Sequence, residues 1–406
     1  MHAPLTRAKR RPRRCRVLLV VENIAFARDH RLRKQVDALL ASGHQVTVVS
    51  PRHPGHRTMT AVRVLDYPTA PGGPSAVNFV LEYGWSWICT TVLVVRALLS
   101  TGFDVLQIAG SPDIFFTLGV PARWLGKSVI FDQRDLAPET YVARFGRQDA
   151  VYRLLLWLER RSYAAADRVL VVNQSLKDVA LARGCVTPAN ITVVGNGPVL
   201  ASIDAAVATY NSAGHTSPRR PDNAELVAVW VGVIGPQDHL DVAIRAFAEV
   251  RGATGRTDCR MLVIGEGDAR AESEALTAEL GIRTSVTFTG WLDEEATFAH
   301  LAAADIGVDS NLDAFVTPVK VMEYMAFSLP VVAFDTRETR LVTGDAALLV
   351  APGDMTGLAN AMGRLMSTPS LRRQLGENAR KRVEQTLAWD RQEQRYLEVY
   401  RSLQQR

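Results

Sequence analysis

The sequence predicts an α/β chain of two doubly wound domains, each a parallel sheet with helices on both faces. Three observations carry this. Short β-rich apolar runs alternate with amphipathic helical stretches along the whole length, the pattern of parallel sheets covered on both sides. The alternation breaks over 201–223 into Ala, Ser, Gly and Pro, with Pro218-Arg219-Arg220-Pro221, a linker composition. The 406 residues, 47% hydrophobic and 22% charged, also suffice for two or three domains with large cores.

Taken in order, the chain starts with a basic arm. Of its 47 basic and 42 acidic residues, seven Lys or Arg and no acid fall within 1–16, so the remainder carries a net charge of −2. A basic body suited to nucleic acid is excluded. The arm reads as solvated, or as a contact for anionic lipid headgroups. It does not read as a secretory signal, because the apolar run 17–21 stops at Glu22. Strands are predicted at 17–22, 45–50, 104–109, 128–133, 168–173 and 191–196. A helix over 31–42 follows from the spacing of Leu32, Val36, Leu39 and Leu40, with Asp29 as N-cap and Gly43 as stop.

The longest apolar stretch is the thirteen residues between Glu82 and Arg96, including Trp85, Trp87 and Ile88. It falls short of the roughly 20 residues that a spanning helix needs. A buried helix is the favoured reading, and one lying on a membrane surface the alternative. After the linker, strands are predicted at 226–231, 261–265, 286–290, 306–310, 330–335 and 347–350, with a helix over 240–250. Residues 371–405 read as two helices broken near Leu387-Ala388-Trp389, the second returning to the first domain. The predicted domains are thus 17–200 and 224–385, joined by the linker 201–223, with 386–406 as the returning helix. Cys15, Cys89, Cys185 and Cys259 have no metal-ligand spacing, so neither disulfides nor zinc are expected and a reducing, cytoplasmic setting fits.

Ligands of such folds bind at the carboxyl ends of the strands, here in a cleft between facing domains, so chemistry is sought on loops after strands. In Thr317-Pro318-Val319-Lys320-Val321-Met322-Glu323, Thr317 reads as N-cap and Lys320 as third helical residue. A helix N-terminus prefers an acid there, so Lys320 suits a bound anion. Glu323 shares its face. A diphosphate on Lys320 with a ribose on Glu323 uses both residues, and two solvated side chains are the plainer account. Gly232-Val233-Ile234-Gly235-Pro236-Gln237-Asp238 follows a strand and reads as a phosphate loop contacting through main chain at Gly235, or as an ordinary turn. Gly265-Glu266-Gly267-Asp268 reads as a base pocket or a tight turn. Phe131-Asp132-Gln133-Arg134-Asp135-Leu136-Ala137-Pro138-Glu139 offers acids for sugar hydroxyls and Arg134 for phosphate, or a local salt-bridge network. Asp29-His30-Arg31 is similar. No dinucleotide fingerprint follows the first strand, and there is no P-loop, nucleophile elbow or HExxH.

Together with Ser111-Pro112-Asp113, Ala166-Asp167 followed by Asn173, Asn196-Gly197-Pro198, Pro330-Val331-Val332 and Glu338-Thr339-Arg340, these segments resemble the retaining GT-B glycosyltransferases of glycosyltransferase family 4, especially their actinobacterial branch. The resemblance implies the GT-B fold, a nucleotide-sugar donor on the second domain, an acceptor on the first, and metal-independent transfer with retention. Glu323 matches the acid that holds the donor ribose. The sequence departs from the family pattern at Phe315, at Arg134, at Ser328, and at Val233 and about Asp238, where the usual phosphate-binding pair is missing and Lys320 and Arg134 are expected as its substitutes.

The expected activity is transfer of a hexose or N-acetylhexosamine from a nucleoside diphosphate sugar, UDP-linked foremost, to a glycan, lipid-linked or natural-product acceptor. Expected catalytic residues are Arg134, Asp135 and Lys320. Expected donor contacts are Gly235, Pro236, Gln237, Gly265, Glu266, Thr317, Lys320 and Glu323, and acceptor-side residues Asp29, His30, Asp113 and Glu139. No metal, cofactor or nucleic acid is expected. Peripheral contact with anionic membrane through the arm and the Trp85/Trp87 region is a separate expectation. The alternatives are a non-catalytic paralogue that binds a nucleotide sugar or a partner protein, and a sugar-nucleotide epimerase.

Overall fold

The computed structural model describes residues 14–22, 24–52, 62–69, 76–110, 113–184, 186–212, 225–255 and 257–404. Most of the basic arm, Ser111-Pro112, Cys185 and the Pro218–Pro221 segment lie outside the described residues. The chain divides into two compact units, one of Met1–Val194 with Glu393–Arg406 and one of Gly195–Gln392.

In the first unit the strands are β1 (Arg16–Val21), β2 (Gln45–Pro51), β3 (Arg63–Tyr67), β4 (Val105–Ala109), β5 (Ser128–Gln133), β6 (Arg168–Val171) and β7 (Ile191–Val193). They form one parallel sheet in the order β3-β2-β1-β4-β5-β6-β7. The strand order reverses between β1 and β4, and the chain leaves each strand at its carboxyl end there, the switch point where doubly wound sheets bind ligands. The central strands are continuous runs of buried Val, Leu and Ile because both sheet faces are covered. β3 is an edge strand that the sequence reading missed. Arg63 and Asp66 interrupt its apolar pattern, and four of its five residues are only half-buried.

The helix Ala76–Ser100 covers part of this sheet, burying Val94 and Ala97 in the core. It is not the buried helix expected, because its outer face is exposed. The helix His30–Ala41 begins as predicted at Asp29, whose side chain accepts from Leu32 N (2.9 Å).

In the second unit the strands are β8 (Leu226–Val231), β9 (Cys259–Ile264), β10 (Val286–Phe288), β11 (Ile306–Asp309), β12 (Val331–Phe334) and β13 (Ala347–Val350), all parallel in the order β10-β9-β8-β11-β12-β13. Here the switch point lies between β8 and β11. The expected linker is corrected in part. Residues Leu200–Ser212 form a helix, because Leu200, Ile203, Val207 and Tyr210 recur at helical spacing and pack on the core of this unit. Arg380 Nη2 fixes its outer side through Asp204 (2.8 Å).

Near the unit boundary the segments 195–198 and 387–392 lie against each other. Trp389 N donates to Pro198 O (2.9 Å) and Gly195 N to Gln392 Oε1 (3.0 Å), and a Cβ on Gly197 would land on the Leu387 carbonyl. A π-helical turn, Val383–Leu387, separates the helix Pro369–Arg382 from the last helix, Trp389–Leu403. The latter's Glu393 onward belongs to the first unit.

Candidate active site

In the second unit, the loops after β8, β9 and β11 converge at the switch point. The first two are zipped together by main chain. Gly232 N donates to Ile264 O (3.0 Å), Ile234 N to Glu266 O (2.8 Å) and Ala269 N to Ile234 O (3.0 Å). A Cβ on Gly265 would sit on the Gly232 carbonyl, and one on Gly267 on that of Ile234, so glycine is required for this approach. These contacts give the Gly265-Glu266 turn a structural duty. Glu266 itself turns aside to pair with Arg270. Gly235, Pro236 and Gln237 lead into a short 3-10 turn, Pro236–Asp238, and the side chain of Gln237 lies over Gly235 on the side where a Cβ would project.

Beyond β11 the chain descends through successive Asx turns. Asn311 N donates to Asp309 Oδ1 (3.3 Å), Asp313 N to Asn311 Oδ1 (2.7 Å) and Phe315 N to Asp313 Oδ1 (2.8 Å). The helix Val319–Ala326 then begins one residue later than the sequence predicts. Pro318, at φ −77° and ψ 73°, is the N-cap in place of Thr317, and Lys320 is the second helical residue. Pro318 has no side-chain group with which to cap this end. Its first-turn amides lack intrahelical acceptors, except that Val319 N donates to Thr317 O (2.8 Å).

Lys320 is the focus of the site. Its ammonium stands 4.0 Å from the centroid of the Trp230 ring and 3.6 Å from Asp309 Oδ1, with the side chain only 16% exposed. It has no hydrogen-bond acceptor. A buried ammonium with three donors and two neighbouring carboxylates, Asp309 and Asp238, neither of which accepts from it, is under-satisfied. Trp230, fully buried, is fixed by donating from Nε1 to Ser310 Oγ (3.3 Å), which donates to Asp238 O (3.1 Å). Burial pushes the Asp238 carboxyl up, opposed by the charge of Lys320. Glu323 lies half-buried one turn beyond Lys320. The next residue, Tyr324, accepts from Val231 N (2.8 Å) and holds the end of β8 against this helix.

The first unit gathers a second cluster beyond β5. Arg134 Nη1 donates to Asp29, and its Nε stands 3.7 Å from Asp132 Oδ2. Arg31 grips Asp132 through two nitrogens (2.8 and 3.3 Å), and Gln35 Nε2 donates to the same carboxylate (2.9 Å). Burial alone would raise the Asp132 carboxyl, but Arg31 and Arg134 outweigh it and hold it below its ordinary value. Arg134 keeps two buried nitrogens, Nε and Nη2, without a hydrogen-bond acceptor. Because Asp29 and Asp132 already compensate its charge, Arg134 is not the free phosphate cation that the sequence suggested.

Asp113 is almost fully buried with Oδ2 unpartnered. Burial first, then the charges of Glu159 and Asp135, push its carboxyl well above the ordinary value, eased by Arg183. Glu139 pairs with Arg183, which also pairs with buried Glu159. Asp113, Asp135 and Glu139 are thereby brought into one electrostatic neighbourhood. His30 is exposed at the first position of its helix and lies apart from this burial. Sequence reasoning missed Trp230, Asp309, Glu159 and Arg183, which the fold rather than local spacing brings to the motifs they complete.

Glu22 follows β1 at the switch point of the first sheet and was also missed. Burial pushes its carboxyl from 4.5 to about 7, with a hydrogen bond from Ser86 opposing and the charge of Glu82 adding. A raised carboxyl binds its proton more tightly when folded, so this contribution to stability is complete below the unfolded value and is lost as pH rises through about 7. Glu22→Gln is therefore expected to gain about 2 to 3 kcal/mol over the parent at pH 8 and almost nothing at pH 4. Urea midpoints at the two pH values measure the difference, and equal gains at both would show that folding does not raise the Glu22 carboxyl.

Both halves of the chain match glycosyltransferase families. Residues 29–197 match the "Glycosyl transferase 4-like domain" and residues 225–368 "Glycosyl transferases group 1". Alpha-D-kanosaminyltransferase from Streptomyces kanamyceticus is 29% identical over 156 residues, 38% of this chain and 39% of that protein. MMP alpha-(1->4)-mannosyltransferase from Mycolicibacterium hassiacum is 30% identical over 157 residues, 37% of this chain and 38% of that protein. These matched stretches thus span about two fifths of each curated relative. Among solved structures, sucrose-phosphate synthase from Thermosynechococcus elongatus superposes with a TM-score of 0.74 at 19% identity, covering 96% of this chain and 99% of that one. The Anabaena protein HepE, in complex with UDP and glucose, gives 0.73 at 15% identity, covering 96% and 100%. The fold is GT-B, and the matches support a glycosyltransferase.

Proposed function

We propose that this GT-B chain transfers a hexosyl or N-acetylhexosaminyl group from a nucleoside diphosphate sugar, a UDP-sugar foremost, to a hydroxyl of a glycan, lipid-linked or small-molecule acceptor. The observation that carries this reading is the ammonium of Lys320, buried without a hydrogen-bond acceptor in the first turn of a helix at the switch point of the second sheet. A diphosphate supplies the missing acceptors and meets the positive end of the helix. Glu323, one turn on, accepts hydrogen bonds from the ribose hydroxyls. HepE, with which this chain shares its fold, is described in complex with UDP-glucose, which favours UDP.

As the bond between the anomeric carbon and the diphosphate breaks, charge grows on the leaving oxygen, and Lys320 stabilises it. The acceptor oxygen bonds to the anomeric carbon on the same face, and the departing phosphate takes its proton, so configuration is retained and neither metal nor cofactor takes part. The first unit holds the acceptor. The unpartnered Oδ2 of Asp113 and the two unpartnered nitrogens of Arg134 hydrogen-bond the sugar hydroxyls, with Asp135, Asp29 and Glu139 as supporting acids. An inverted product anomer would refute this route.

The donor site is tested by thermal unfolding of the parent and of Glu323→Ala with UDP, GDP, ADP and dTDP. A ligand at 100 times its Kd stabilises by about 2.7 kcal/mol. A shift with one nucleotide that shrinks in the variant is expected. No shift with any nucleotide would favour a non-catalytic binding protein, and turnover of a donor sugar without acceptor would favour an epimerase.

A further inference from the structure

The helix Ala76–Ser100 carries polar residues inward and large apolar residues outward. Ser86 and Thr90 are buried beside Val94 and Ala97. Leu81, Trp85, Ile88, Val92, Val95 and Leu99 stand 43–81% exposed. Their 4-3-4-3-4 spacing draws one stripe along about 27 Å of helix, at 1.5 Å per residue. The apolar face continues onto two neighbours. Trp87 Nε1 donates to Thr117 Oγ1 (2.8 Å) on the helix Phe116–Trp124, and Phe116 meets Trp157 of the helix Ala150–Ala165 edge-on at 5.9 Å. Trp124, Leu154 and Trp157 are exposed as well. Apolar surface running across three helices marks a docking face.

Charge indicates what docks there. On these three helices Arg96, Arg123, Arg153, Arg160 and Arg161 are exposed, and Glu82 is the only exposed acid among the described residues. The Arg161 guanidinium lies 5.2 Å from the centroid of the Trp157 ring, placing a cation at the margin of the apolar face. Exposed tryptophans beside arginines suit the level of lipid headgroups, where indoles sit and phosphates neutralise guanidiniums.

We propose that this face docks on an anionic lipid bilayer, with the stripe in the headgroup boundary and the arginines on lipid phosphates. The helix lies along the surface rather than crossing it. Leu81–Ser100 is long and apolar enough to span, but its inward side is occupied by the sheet. A second copy of the chain also fits a stripe of 3.5-residue period. Two-fold pairing, however, would set the same arginines against each other, whereas a phosphate surface neutralises them. The proposal rests on this exposed surface and does not depend on the glycosyltransferase reading.

The test is co-sedimentation of the full chain with vesicles of phosphatidylcholine alone or mixed with phosphatidylglycerol. Because the N-terminal arm is itself basic, a chain with Arg7, Lys9, Arg10, Arg11 and Arg13 changed to Gln is run beside the parent. Both are expected to pellet with the anionic vesicles and to stay in solution with the neutral ones. Val92→Gln with Leu99→Gln, and separately Arg153→Gln with Arg160→Gln and Arg161→Gln, should each lower partitioning at least about tenfold at unchanged Tm. Failure to pellet, loss of binding from the arm substitutions alone, or indifference to both variant sets would overturn the proposal. A concentration-dependent dimer abolished by the Val92/Leu99 variant would overturn it too, in favour of a second copy.

Discussion

Lys320→Met is expected to lower kcat with a nucleotide-sugar donor by about 10²- to 10³-fold, the cost of removing one fixed stabiliser of a developing oxyanion. Methionine keeps the apolar stem over Trp230 and removes the charge. The site is not simply positive, since Asp309 and Asp238 both face Lys320. The ammonium is thus held in place by carboxylates that leave its hydrogen bonds unmet, and the proposed role of the donor diphosphate is to meet them. Its loss should weigh more on kcat than on KM, because charge on the leaving oxygen grows toward the transition state. Asp309 loses its counter-charge in this variant, so a stability loss of about 1 to 3 kcal/mol accompanies the kinetic one. Initial rates at saturating donor, with Tm measured in parallel, separate the two. An unchanged kcat would remove Lys320 from the chemistry.

The sequence displayed Lys320 only through a mismatch, a cation where a helix end prefers an acid. It could not display the resolution of that mismatch, because Trp230 and Asp309 are 90 and 11 residues away and meet Lys320 only once β8 and β11 pair. The strands themselves were legible because buried parallel strands are unbroken apolar runs, as in β1 and β8. β3 was not, since a half-buried edge strand carries charge. The helix Leu200–Ser212 was hidden for the opposite reason: alanine and serine compose helices as readily as linkers, and only the spacing of Leu200, Ile203, Val207 and Tyr210 distinguishes the two. In Phe131–Glu139 the bland reading, a salt-bridge network, describes Arg134 better than the phosphate reading. Its partners Asp29 and Asp132 sit on separate elements whose approach no local pattern encodes.

That network supports the second large expectation: Asp132→Ala should destabilise the protein by about 3 to 5 kcal/mol, as expected when one member of a buried ion pair is removed. Asp132 is fully buried and faces two guanidiniums, Arg31 and Arg134, so its removal strands buried positive charge rather than exposing it to water. The carboxylate also ends a relay from the last helix. Tyr396 and Tyr400 donate to Gln107 Oε1 (2.9 and 2.7 Å), Gln107 Nε2 donates to Gln35 Oε1 (3.0 Å), and Gln35 donates to Asp132. Because the folded carboxyl is held below its ordinary value, its contribution is present above the unfolded value and is lost as pH falls through the folded one. The deficit of the variant should therefore be full at pH 7 and shrink in acid. Tyr396→Phe, which removes one neutral hydrogen bond while Tyr400 still serves Gln107, should cost only about 1 kcal/mol. Urea unfolding of the three proteins decides the matter. A parent-like midpoint for Asp132→Ala at pH 7 would mean that Asp29 alone compensates Arg134, and that the buried network is not what ties the last helix to the first sheet.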